Sequence, residues 1–84
     1  MNFTAKFLST AKDRAYFLVE GTDHTMKMAW YYMAVPKSIK RKFLDQFKMQ
    51  RIDLEKYGLI LESGYGSIPT DDEMENIKNR LARH

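Results

Sequence analysis

Residues 14–35 read RAYFLVEGTDHTMKMAWYYMAV. Their first seven positions are rich in aromatic and β-branched side chains, which suit the pleated surface of a strand. Gly21, Thr22, Asp23, His24 and Thr25 then supply turn chemistry, with Gly21 available for a positive φ. Residues 27–35 read as a second, longer strand, and a β-hairpin is the simplest connection between the two. Because strand side chains alternate, Met28, Trp30, Tyr32 and Ala34 share one face while Ala29, Tyr31, Met33 and Val35 share the other. Both sets are largely apolar. Such a strand is central, with a helix over one face and something else, such as a second subunit, over the other.

Downstream, Pro36 marks the strand exit and Ser38 is placed to cap a helix. Ile39, Phe43, Leu44 and Phe47 recur at helical spacing and fall within an arc of about 140° at 100° per residue. Lys37, Arg41 and Lys48 cluster within about 40° near the opposite side by the same wheel. Lys42 points elsewhere, and Lys40 sits close enough to the apolar arc for its stem to lie along it. Residues 52–57 fit either a continuation of this helix or a turn before Gly58, and LILES at 59–63 reads as a short strand. SGYGSIP, with Gly64 and Gly66 on either side of Tyr65, reads as a loop.

Thr70-Asp71-Asp72-Glu73 is the clearest local signal. Thr70 caps a helix, Glu73 closes the reciprocal capping box, and the acids favour the positive end of the dipole. Met74, Ile77 and Leu81 form one apolar stripe, while Lys78, Arg80 and Arg83 bring positive charge to the far end. The expected order is strand, strand, helix, strand, helix, with a further short element over residues 3–8. This is an α+β domain: a small single-layer antiparallel sheet, made of a β-hairpin plus a short strand, packed against two amphipathic helices.

A chain of 84 residues supports one hydrophobic core, so residues 1–84 read as a single domain, and a core this small favours oligomer formation. Cysteine is absent, which excludes disulfides, a thiol nucleophile and a cysteine-based zinc site. The N-terminal residues lack the long apolar core of a signal peptide, and no stretch approaches the roughly 18 apolar residues of a membrane span. A cytoplasmic protein with no membrane association is expected.

The catalytic inventory is thin. Of the two histidines, His24 falls in the expected turn and His84 ends the sequence. Asp71, Asp72, Glu73 and Glu75 do not follow the ligand order of a calcium loop, and helix capping explains them more simply than a magnesium site. GYGS lacks the order of a phosphate-binding loop, and the acids after it would repel phosphate. The expectation is therefore a non-enzyme with no catalytic residues, metal or small-molecule cofactor.

Two binding surfaces remain. Consecutive aromatics in one strand point both ways, so Trp30, Tyr31, Met33 and the loop residue Tyr65 are the expected protein interface of a homodimeric adaptor, regulator or accessory subunit. The segment PKSIKRKFLDQFKMQR sets six positive groups against Asp45 within a chain of net charge +3. The alternative reading is thus nucleic-acid binding through Lys37, Arg41, Lys42, Lys48 and Arg51, with Tyr16, Trp30 and Tyr31 as stacking platforms.

Overall fold

The computed structural model describes residues 3–22, 25–47 and 53–82. Four strands form one antiparallel sheet: β1 (Phe3–Ala11), β2 (Arg14–Thr22), β3 (Met28–Pro36) and β4 (Leu59–Tyr65), in the order β1-β2-β3-β4. Between β3 and β4 lie a 3-10 turn (Lys37–Ile39), helix α1 (Lys40–Gln46) and a second 3-10 turn (Leu54–Lys56); helix α2 (Asp71–Ala82) follows β4. The α+β class and the antiparallel hairpin agree with the sequence reading, but the sheet has four strands. The short element at 3–8 is a nine-residue edge strand, paired with β2 from Phe3↔Gly21 to Ala11↔Arg14.

The alternation in β3 organises both cores. Met33 and Val35 pack with Ala15, Phe17 and Val19 of β2 and with Phe43 of α1 and Leu54. Phe43 is the hub, with ring centroids 4.8 Å from Phe17, 5.1 Å from Phe47 and 5.8 Å from Tyr57. Truncating a buried ring of this kind to alanine costs about 3–5 kcal/mol, because the cavity collapses only in part. On the opposite face Tyr32 packs with Leu18 and with Met74 of α2, bordered by Tyr16, Trp30, Ile77 and Leu81. The second cover of β3 is therefore the chain's own α2, where the sequence reading left room for a subunit.

Three local expectations need correction. Ser38 does not cap a helix: the residue before α1 is Ile39, at φ −111° and ψ 13°, and neither helical start has a side-chain cap. Lys37 lies in the 3-10 turn and not in α1, so the wheel that aligned it with Arg41 does not apply. The SGYGSIP segment is not loop throughout, since β4 continues through Gly64 and Tyr65, which pair with Trp30 and Ala29. Glycine depressed the strand signal there, yet it is what the strand requires. A Cβ at Gly64 would lie 2.7–2.8 Å from three atoms of the Trp30 indole, so the ring occupies the space of the missing side chain. The strand then ends at Gly66, whose φ of 89° suits only glycine and whose N–H donates to the Met28 carbonyl at 3.0 Å.

At α2 the capping box is formed as the sequence implies. The Glu73 N–H donates to Thr70 Oγ1 at 3.3 Å, while the Thr70 N–H reaches Glu73 Oε1 at 3.4 Å. Arg80 pairs with Glu62, tying the last turn of α2 to β4.

Two stability measurements test this description. Gly64→Ala should destabilise the fold by about 1–3 kcal/mol in chemical denaturation and red-shift Trp30 emission as the indole is displaced. Unchanged stability and emission would remove the indole from that position. Thr70→Ala should cost about 1 kcal/mol, and a change within error would mean that the box does not hold α2.

Candidate functional site

The expected interface residues do not share one environment. Met33 is fully buried inside the monomer. Tyr31, partly buried, meets the Phe3 ring edge-on at 5.9 Å beneath the α1 side of the sheet. Trp30, also partly buried, lies on the α2 side against Gly64. Only Tyr65 is open, at 71% exposure. Adjacent side chains of β3 diverge by geometry, so Trp30 and Tyr31 belong to opposite faces.

Around Tyr65 the structure places side chains that patterning did not single out. Met26 is 83% and Met28 50% exposed, and the Gly66–Met28 backbone bond holds this end of β4 beside them. Met26 is a non-glycine residue with φ 65°, a conformation that costs about 1 kcal/mol or more. Lys27 Nζ stands 5.9 Å from the Tyr65 ring centroid. The strained methionine was not legible because its conformation is a property of the turn, not of any periodicity.

The basic residues separate as well. Lys37, Arg41 and Lys42 are exposed; Lys48 and Arg51 lie outside the described residues. The proposed platforms Tyr16 and Trp30 sit under α2, with Tyr16 6.0 Å from Tyr32, whereas the basic segment lies on the α1 side. The sheet separates Tyr16 and Trp30 from the basic helix, while Tyr31, the third expected platform, is on the α1 side but partly buried against Phe3. The aromatic beside the basic segment is Phe7 of β1, whose ring carries Lys40 Nζ at 3.6 Å.

A third feature is a depression of about 490 Å³ between β1 and α2. Lys6, Leu8 and Leu18 line it from the sheet, Ile68 and Pro69 from the segment before α2, and Met74, Glu75 and Lys78 from the helix. A smaller hollow continues it along β1 past Thr4 and Glu20. It exists because α2 is tied by Glu62 to the β4 side of the sheet and leaves the β1 side less covered. Leu8 projects there from the irregularity between Phe7 and Ser9 in the β1–β2 register.

For chemistry, His24 and His84 lie outside the described residues, and Asp71, Asp72, Glu73 and Glu75 are exposed on the first turns of α2. Among the described residues no group of three His, Asp or Glu side chains is placed to hold a metal ion, and no helix is long and apolar enough to cross a membrane. Burial, with a smaller contribution from neighbouring Tyr16, pushes the Tyr32 phenol above its ordinary pKa.

Compared with known family models, curated proteins and solved structures, the chain matches none.

The Tyr32 shift has a defined sign. A raised folded-state pKa means that the neutral phenol is favoured by folding, so its contribution is present below the unfolded tyrosine value near 10 and is lost as pH rises through the folded value. Stability should therefore fall in strong alkali, and Tyr32→Phe should reduce that fall in denaturation curves taken on either side of pH 10. An identical alkaline loss in the variant would place the titrating group elsewhere.

Proposed function

We propose that this is a non-enzymatic protein-interaction domain whose binding element is the β1 edge, and that it pairs through that edge with a second copy of itself. The observation that carries the reading is the nine-residue edge strand flanked by the β1–α2 depression. An edge strand presents unpaired backbone N–H and C=O groups, and proteins usually blunt long edges with charge, proline or a cover. β1 has Lys6 as its one charged residue and no proline. Its ladder irregularity turns Leu8 into the depression, which accepts apolar side chains from a strand laid alongside.

Two considerations favour a second copy as the partner. The depression is bordered by both signs of charge, Lys6 and Lys78 against Glu20, Asp71 and Glu75, and a two-fold operation sets each sign of one copy opposite the other's complement. A domain of this size also gains more from added apolar burial than a large one does. An adaptor, regulator or accessory-subunit role fits such a module. Its open Tyr65–Met26–Met28 end supplies a separate apolar surface for another protein.

Light scattering after size exclusion tests the assembly. Wild type should run at twice the monomer mass at micromolar concentration, Leu8→Glu should run as monomer, and Ser63→Lys on the opposite edge should leave the dimer intact. A monomeric wild type would refute the reading, and dissociation by Ser63→Lys but not Leu8→Glu would move the interface to β4.

A further inference from the structure

At one end of the sheet, separate pieces of chain bring cations to a single corner. Lys12 and Asp13 form the connection between β1 and β2, with Lys12 held at φ 57°. Arg14 opens β2 opposite Pro36, the last residue of β3. Lys37, the next residue, donates its backbone N–H to the Asp13 carbonyl at 2.7 Å. This bond fixes the β1–β2 turn against the segment that leads into α1. Lys12, Lys37, Lys40 and Arg41 are thereby grouped although up to 29 positions separate them in sequence, whereas Arg14, next to Ala15 of the α1-side core, faces the α2 side. Lys12, Lys37 and Arg41 are exposed, and among the described residues none of them is held in an ion pair. The acids nearby are Asp13 and Asp45, the latter beside Arg41 at the rim of a shallow depression of about 430 Å³.

Like charges held together by backbone structure repel, and a ligand of repeated negative charge relieves that repulsion while releasing its own counterions. Phe7 adds a second kind of contact. Its ring is 41% exposed at the sheet edge and borders the corner through Lys40, so a flat apolar face and cations stand side by side. Phosphates beside an unpaired base present the complementary pair of groups. We infer that this corner binds single-stranded nucleic acid, with phosphates on Lys12, Lys37 and Arg41 and a base on Phe7 in place of the Lys40 ammonium. The site differs from a helix-borne basic stripe, because Lys12 belongs to the β1–β2 turn and Lys37 to the 3-10 turn. It lies on the α1 side of β1 and does not depend on the dimer proposed above.

The test is fluorescence anisotropy with a labelled mixed-sequence single strand and a duplex of equal length, across a salt titration. Wild type should bind the single strand more tightly than the duplex and weaken steeply as salt rises. The triple variant K12E/K37E/R41E should bind at least about tenfold more weakly with a shallower salt slope. K27E/K56E/R80E makes the same change in net charge at exposed positions outside the corner and should bind within about threefold of wild type, as charge not in contact is largely screened. Phe7→Leu should weaken single-strand binding at least about fivefold while leaving duplex binding unchanged. Circular dichroism confirms that each variant is folded before it is compared. No wild-type binding at low salt, equal losses in the two triple variants, or duplex binding as tight as single-strand binding would each overturn the inference.

Discussion

The apolar character of β3 on both faces is the constraint on which the other elements depend. Met33 and Val35 point one way and Tyr32 and Ala34 the other, and all four are buried. Water excluded from one face alone would leave the other set solvated, so a stable monomer needs a cover on each side. The chain meets this requirement with two short helices, one before β4 and one after it. Their placement accounts for the aromatic hub at Phe43 and for the ion pair that draws α2 toward β4. It also accounts for the open flank along β1, because one helix of 12 residues spans only part of a four-stranded face.

The parts of the fold legible in the sequence were those set by local rules. The hairpin strands follow from side-chain type and alternation, and the α2 start follows from Thr70 and Glu73, whose spacing is itself the cap geometry. Gly64 was misleading for an instructive reason. Glycine ordinarily weakens a strand, and nothing local says that Trp30 will lie across it from the neighbouring strand. β1 was read too short because Ser9, Thr10 and Ala11 carry little hydrophobic pattern. They are strand because β2 offers partners as far as Arg14.

The candidate sites were less legible than the fold, since sites combine residues that only the tertiary structure brings together. A wheel drawn through Lys37 assumed α-helical geometry where the backbone makes a 3-10 turn. Lys12 enters the basic corner through one long-range backbone bond from Lys37 to Asp13, for which residue type gives no signal. The separation of Trp30 from Tyr31 could be read directly from strand alternation. Which of the two faces would carry the basic segment could not, because that depends on the direction in which the chain leaves Pro36.

The sheet order has a consequence for synthesis of the chain. Strand neighbours in space are neighbours in sequence, so the ladders require only short loop closures and can form as the chain emerges. The α1 side can be sealed by residues up to Leu54, whereas the opposite side waits for Met74. Until residues 71–82 have left the ribosome, Tyr16, Trp30 and Tyr32 face solvent on a nearly complete sheet. The nascent protein is therefore most prone to aggregation between the emergence of β4 and that of α2, and the capping box that starts α2 also sets when that interval closes.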